Sequence, residues 1–177
     1  TDDPEAFKSA LFTLRFTIAT VILANIIAFA LALALTLGLK SAKVMRTIFF
    51  LPNVIGGIIL GFVWRFIFTN SFITLGEITG LGFFEFAWLG TPTTGFWGAV
   101  IVFIWQRTGY LMVIYIAAIM NIDEHLLEAA RIDGASGFQM LKRMIVPLTM
   151  PAFTVCLLLT LSWSTKMFDV IFSLTEG

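Results

Sequence analysis

The sequence contains little charge for its length. Lys and Arg together number 11, Asp and Glu also number 11, and these four residue types make up only 12% of the 177 residues. Soluble domains carry about 25% charged residues, so the composition excludes an ordinary water-soluble globular protein. The two signs also balance, and a chain without net charge is not expected to bind nucleic acid.

The sequence contains one cysteine, which excludes an intrachain disulfide and a cysteine-based metal site. The one cysteine, Cys156, lies within an apolar run and cannot form an intrachain disulfide. We expect it to be a packing residue, and we expect no metal site and no catalytic residues. The sequence also contains no Gly-x-x-x-x-Gly-Lys-Ser/Thr phosphate-binding loop, so we expect no bound cofactor and no ATP hydrolysis by this chain.

Hydrophobic residues are abundant, at 59% of the chain, with 15% aromatic. Four stretches are long enough to cross roughly 30 Å of hydrocarbon, which takes about 20 helical residues. The predicted spans are residues 11–39, 47–69, 95–120 and 152–174. We expect interruptions such as Pro52 and the "IGGIILG" run after it to kink or break a span, which membrane helices tolerate where neighbours take up the freed backbone groups. The predicted fold class is therefore all-α, a polytopic transmembrane helical protein in the cell membrane.

Basic residues in the predicted loops indicate the orientation. They are Lys40, Lys43 and Arg46 in one loop and Arg131, Lys142 and Arg143 in another. The loop at 70–94 contains neither Lys nor Arg. Because cytoplasmic loops carry an excess of these residues, we expect segments 40–46 and 121–150 to face the cytoplasm. The N-terminus, the 70–94 loop and the C-terminus would then lie outside.

Segment 121–150 has the pattern of two short helices joined by a turn. Asp123 is a predicted N-cap, and Gly134 ends the first helix. Ser136 and Gln139 form a capping-box pattern that begins the second helix. From these residues alone, the first helix is either a docking surface for another protein or a solvated connector.

The second helix of this segment has an apolar face and is bounded by prolines. Phe138, Leu141 and Ile145 fall on one side of it. We expect Pro147 to end this helix and Pro151 to lie in the first turn of the last span.

Polar and aromatic side chains inside the spans are candidates for a solute path. Ionisable groups are costly in a membrane and are functional candidates by default, and aromatic faces with a few polar groups suit a sugar. The candidates are Trp105, Gln106, Arg107, Tyr110, Trp163, Lys166 and Asp169. A local ion pair between Lys166 and Asp169, with the tryptophans as packing, is the alternative. We expect Asn25 to form an interhelical hydrogen bond.

Glu128, Ala129, Ala130 and Gly134, with Met144-x-Val146-Pro147 after them, form an ordered motif. This motif resembles the EAA signature of membrane subunits of binding-protein-dependent ABC importers, in the sugar-type, maltose-permease-like branch. The stretches "RTIFFLPNVIGG" and "KMFDVIFSLTEG" are similar to that family in the same order. The chain departs from the pattern at His125, where an acidic residue is common, and at Ile122-Asp123, where Ile-Pro is usual.

The resemblance implies a mechanical role for segment 121–150. In such permeases a coupling helix docks into a cleft on a separate ATPase. Glu128 would make a polar contact, Ala129 and Ala130 would fit the cleft, Asp133 would orient the loop and Gly134 would supply the turn.

The resemblance also implies partners and extent. The implied partners are a second permease subunit, cytoplasmic ATP-binding subunits that hold ATP and Mg, an extracytoplasmic solute-binding protein and the lipid bilayer. Residues 1–177 are expected to be one transmembrane permease domain, a partial core with about four spans and with the family's first and last spans absent.

Two other function classes compete with this interpretation. One is an ion-coupled secondary transporter, and the other is a membrane fragment without transport activity. Ion coupling needs carboxylates deep in the membrane, and Asp169 is the only carboxylate within the four predicted spans.

Overall fold

The elements of the computed structural model are helices, which confirms the predicted all-α class. The structure describes residues 4–36, 42–82, 88–167, 170, 171 and 174. The helices are α1 (Pro4–Thr36), α2 (Ala42–Phe50), α3 (Gly57–Thr79), α4 (Pro92–Met120), α5 (Glu124–Ile132), α6 (Gly137–Leu148) and α7 (Met150–Thr165). Helices α3 and α6 each contain one wider, π-type turn, at Ile67–Ser71 and Leu141–Ile145.

Three of the described helices, α1, α3 and α4, are long and apolar enough to cross a membrane. Helices α6 and α7 form a fourth candidate span together, but they meet at an angle of 66°. The bend lies at Thr149, which is buried and donates its hydroxyl to the carbonyl oxygens of Ile145 and Val146 at 2.8 and 3.1 Å. The described part of the chain thus offers three or four spans.

The predicted second span, 47–69, is wrong in position because the helix breaks inside it. A tight 3₁₀ turn at Leu51–Val54 follows α2, and Ile55 and Gly56 are extended, with ψ of 128° and 144°. Hydropathy sums apolar side chains and takes no account of the backbone. Pro52, which has no N–H to donate, lies in this turn. The second spanning helix is therefore α3, which begins at Gly57.

The predicted outer loop at 70–94 is also partly wrong, since residues 70–79 continue α3. This helix ends at Gly80, whose φ of +66° is a left-handed conformation that glycine adopts without a steric cost. The next long helix starts at Pro92, capped by the side chain of Thr91.

The end of the chain requires two further corrections. The predicted fourth span, 152–174, is too long, because α7 ends at Thr165. Pro147 does not end α6, which continues to Leu148. The wider turn at Leu141–Ile145 comes directly before Pro147 and accommodates a residue without an N–H. Pro151 lies in the first turn of α7, as predicted.

The buried core lies between α1, α4 and α7. Helices α1 and α4 run in the same direction, with Phe16 packed on Phe103 and Phe29 on Tyr115. Helix α7 runs in the opposite direction, so that Phe153 near its start contacts Phe29. Small residues on α1, including Ala24 and Ala28, are fully buried and let the helices approach closely.

A polar group joins these three helices inside the core. Asn25 donates to Thr160 Oγ1 at 2.9 Å and accepts from the Tyr115 hydroxyl at 2.7 Å, which confirms the predicted interhelical hydrogen bond. Thr160 in turn donates to the carbonyl oxygen of Cys156. Cys156 is fully buried, in agreement with a packing role.

Candidate functional site

Segment 121–150 has the local structure that its capping residues predict. Asp123 accepts a 2.9 Å hydrogen bond from the backbone N–H of His125 and begins α5. Gly134 follows this helix with a φ of +81°, which produces the turn. The Ser136 N–H donates to Gln139 Oε1 at 2.8 Å, and the Gln139 N–H donates back to Ser136 Oγ at 3.3 Å. The result is a helix-turn-helix with capped helix starts.

The residues of the EAA motif lie on two sides of α5. Glu128 and Ala129 are exposed. Ala130, Asp133 and Gly134 line a groove of about 470 Å³ between α5 and α6. The α6 side of this groove is formed by Gln139, Met140, Arg143 and Met144. Of the five candidate coupling residues, three thus line this groove, and Glu128 and Ala129 do not.

Glu128 lies close to His125 on the exposed side of α5. The distance from Glu128 Oε2 to His125 Nδ1 is 3.8 Å, and both side chains are largely exposed. His125 therefore lies one helical turn before Glu128 on the same face. The unusual histidine of the motif is thus placed to interact with the motif's own glutamate.

Two large apolar side chains of this segment are strongly exposed. Ile132 is 86% and Phe138 is 72% accessible. Both flank the Gly134 turn; Ile132 lies in α5, whereas Phe138 lies in α6, which belongs to the bent candidate span. The spacing of apolar residues places Phe138 on the apolar face with Leu141 and Ile145, yet it is exposed while they are half-buried.

A second group of candidates meets inside the bundle, where the break of the second span crosses α4. Arg107 Nη1 donates to Asn53 Oδ1 at 2.9 Å, and the guanidinium lies 4.9 Å from the ring centre of Trp163. Tyr110, one turn further along α4, packs edge-to-face on Trp163 at 5.4 Å and against Phe50 at 6.2 Å. The result is a half-buried cation that contacts the ring of Trp163 and the amide of Asn53, with Tyr110 and Phe50 continuing the aromatic packing.

Asn53 and Phe50 belong to this cluster, although hydropathy and charge do not single them out. Both flank Pro52 in the chain. Pro52 was the one sequence signal for this part of the cluster, because a proline predicts a break in the helix. In a membrane, other groups must then bind the freed backbone groups, and these groups lie near the break.

The other path candidates are placed differently. Trp105 is two residues, and therefore about half a helical turn, from Arg107, and it packs on Trp64 at 5.4 Å. Gln106 is only 2% exposed and donates from Nε2 to the Ile55 carbonyl oxygen at 3.0 Å. Lys166 is exposed at the end of α7. Asp169 lies outside the described residues, and so does its predicted pair with Lys166.

A cavity of about 830 Å³ lies at the end of the bundle where α1 and α4 begin and α7 ends. Hydroxyl groups and aromatic rings share its lining, among them Thr13, Thr91, Ser164, Phe12 and Phe96. Ser164 follows Trp163 directly on α7. Among the described residues, no group of three or more His, Cys, Asp or Glu is placed to hold a metal ion.

Comparison with known proteins identifies the family. Residues 26–177 match the model of the family described as "Binding-protein-dependent transport system inner membrane component". The chain belongs to this family. The membership confirms the resemblance carried by the EAA-type motif, and places this permease-family chain in the inner membrane as a multi-pass helical protein.

Curated relatives of this permease-family chain are named as sugar transport subunits. One is the probable starch degradation products transport system permease protein AmyD of Thermoanaerobacterium thermosulfurigenes, 48% identical over 99% of this chain and 60% of its own length. Another is the trehalose/maltose transport system permease protein MalF of Thermococcus litoralis, 33% identical over 98% of this chain and 59% of its own length. The chain thus spans about three fifths of these relatives.

A solved structure shares the fold. The crystal structure of a bacterial ABC transporter involved in the import of the acidic polysaccharide alginate matches with a TM-score of 0.76. It is 22% identical, and the match covers 92% of this chain and 63% of that chain. The helices and their connections therefore follow an ABC importer permease.

Proposed function

We propose that this chain forms the membrane core of a permease that imports a sugar, of the class of starch-derived oligosaccharides, at the expense of ATP bound to a separate subunit. The observation that carries the proposal is the family match over residues 26–177. The names of two relatives, for starch degradation products and for trehalose and maltose, support the solute class.

The cluster at the break of the second span fits such a solute. Trp163 and Tyr110 offer aromatic faces for the apolar side of a sugar ring, and Arg107 and Asn53 offer hydrogen-bonding groups for its hydroxyls. Lys166 and Asp169 would follow along the path beyond α7. Gln106 is hydrogen-bonded to Ile55, and Trp105 is packed on Trp64. Both would hold α4 in position and would not contact the solute.

The coupling role falls to α5 and the Gly134 turn. Glu128 and Ala129 on the exposed side would contact the ATPase, and Ala130, Asp133 and Gly134 would shape the groove beside α6. Exposed Ile132 and Phe138 support a docked state, in which a partner covers them.

The assembly proposed around the chain contains four kinds of partner. They are a second permease subunit, cytoplasmic ATP-binding subunits that bind ATP and Mg, an extracytoplasmic solute-binding protein and the surrounding bilayer. The family description, which ties the membrane component to a binding protein, supports this assembly.

Uptake by proteoliposomes tests the proposal. The full-length permease would be reconstituted with its co-purifying subunits, and uptake of radiolabelled maltotriose would be measured. Uptake that requires ATP inside and the solute-binding protein outside is the expected result. Uptake driven by a sodium or proton gradient without ATP would contradict it.

A further inference from the structure

The break between α2 and α3 interrupts the helical hydrogen bonds, so that the Ile55 carbonyl oxygen finds its partner outside these two helices. Ile55 and Gly56 are extended, and Pro52 in the preceding turn is buried. In a membrane such groups must find partners on neighbouring helices. For this break, the neighbour is α4.

Two contacts join α4 to the break and to the end of α2 that precedes it. Gln106 Nε2 donates to the Ile55 carbonyl oxygen at 3.0 Å, with the Gln106 side chain almost wholly buried. At Gly109, an added Cβ would lie 2.9 Å from Phe50 Cα and still closer to the carbonyl group of Phe49. The absence of a side chain at Gly109 thus lets the two backbones touch.

The third contact joins two side chains. Arg107 Nη1 donates to Asn53 Oδ1 at 2.9 Å, and both residues are only half-buried. Arg107 also has a buried Nε for which no hydrogen-bond partner is found among the described residues. Because Arg107 and Asn53 are half-buried, their bond is more open to water than the contact of the buried Gln106, and it can open by rotation of the two side chains. The contact at Gly109 is between backbones and opens only if the backbones move apart.

We propose that Asn53 is a latch: its amide oxygen holds Arg107 and so keeps the break, residues 51–56, closed on α4, and loss of this bond lets the break move. Asn53 is thus a positioning residue that acts through Arg107. The inference rests on the proposed function in one respect, because Arg107 also lies on the proposed solute path. A solute oxygen that binds Arg107 competes with Asn53 for the same guanidinium, which links arrival of the solute to release of the break.

Thiol accessibility at the break tests the latch. Ile55→Cys, at a half-buried position of the break, would be introduced into the full-length transporter assembled with its partner subunits. Labelling by a water-soluble maleimide would be followed by mass spectrometry of the residue 55 adduct, without solute and without ATP. Asn53→Ala is expected to accelerate labelling about threefold to tenfold, the factor that loss of one hydrogen bond gives.

A second variant separates a latch from a packing residue. Asn53→Asp gives Arg107 a charged acceptor, which strengthens the bond, and it is expected to slow labelling by a similar factor. Asn70→Ala is the matched control, since Asn70 is an exposed amide that bonds to its neighbour Thr69 in α3, and it should leave the rate unchanged.

The result that overturns the latch is labelling at the wild-type rate in Asn53→Ala, or faster labelling in both Asn53 variants. The readout needs neither solute nor ATP, so it is independent of the uptake assay. Failure of sugar uptake with a normal labelling response would contradict the proposed function and not the latch.

Discussion

Tyr115 donates its hydroxyl hydrogen to Asn25 Oδ1 across 2.7 Å, so that one bond ties the fourth helix to the first. Asn25 passes the connection on to Thr160 of α7. All three side chains are buried. Lipid tails are as apolar as the helix surfaces, so polar bonds of this kind help to hold membrane helices together.

Tyr115→Phe is expected to lower the stability of the bundle. The change removes only the hydroxyl and leaves Asn25 Oδ1 buried without its donor, which costs about 1–3 kcal/mol. Thermal unfolding of the purified full-length protein in detergent, followed by circular dichroism, should show a lower midpoint. Thr154→Val, which removes an exposed hydroxyl from α7, is the control and should change the midpoint little. An unchanged midpoint in Tyr115→Phe would show that the bond contributes nothing.

Gly109→Ala is expected to be destabilising. The added methyl group would overlap the backbone of Phe49 and Phe50, and overpacking of this kind costs about 1–3 kcal/mol. Gly137→Ala is a matched control, because an added Cβ there meets nothing within 4 Å. The measurement is the unfolding midpoint together with the yield of folded protein. Equal behaviour of the two variants would mean that the break does not lie on α4 at Gly109.

Charge reversal at Glu128 and loss of the turn at Gly134 are expected to disrupt ATPase docking. Glu128→Lys replaces an exposed carboxylate on α5, and Gly134→Pro cannot adopt the φ of +81°. Insertion into the membrane should remain normal in both, while co-purification of the ATPase subunit falls. Glu77→Lys, the same reversal at an exposed position of α3, is the control. Unchanged co-purification in both test variants would refute the coupling role.

Arg107→Gln is expected to reduce sugar uptake by at least about tenfold, since it removes a charged hydrogen-bond donor from the proposed path. Uptake of radiolabelled maltotriose by proteoliposomes would measure it. Arg15→Gln, at an exposed position of α1, removes a cation outside the cluster and should leave uptake near the wild-type rate. Normal uptake in Arg107→Gln would exclude Arg107 from the path.

Local signals were sufficient where one residue determines a turn or a cap. Asp123, Gly134 and Ser136 each act on backbone groups within three residues, so the helix-turn-helix of segment 121–150 could be predicted from the sequence alone. The family motif adds the expected partner of this segment. Its docking stays a prediction.

The contacts that hold the break within residues 47–69 could not be predicted from local signals. The residues that satisfy it are distant in sequence, as Gln106 is from Ile55 and Arg107 is from Asn53. Hydropathy is insensitive to such pairs, because it averages over neighbours in the chain. It predicted a span over 47–69. Pro52 and the glycines after it indicated a kink or a break in that span, but they did not show which residues of α4 lie on the break.

The sequence also did not show which neighbouring helix each side chain of α4 contacts. Trp105, Gln106 and Arg107 are consecutive and looked alike as path candidates. A helix turns by about 100° per residue, so these three side chains point to Trp64, Ile55 and Trp163 respectively. Only the positions of the neighbouring helices distinguish them.

The angle of 66° between α6 and α7 has a mechanical consequence. If α6 moved along its axis, the force would act across the axis of α7, and α7 would turn about Thr149. Trp163 lies about 20 Å from the bend along α7, so that a small rotation at the bend would give a larger sideways displacement of its ring. The groove beside Gly134 and the aromatic cluster share no residue, yet they lie at the two ends of the α6–α7 pair.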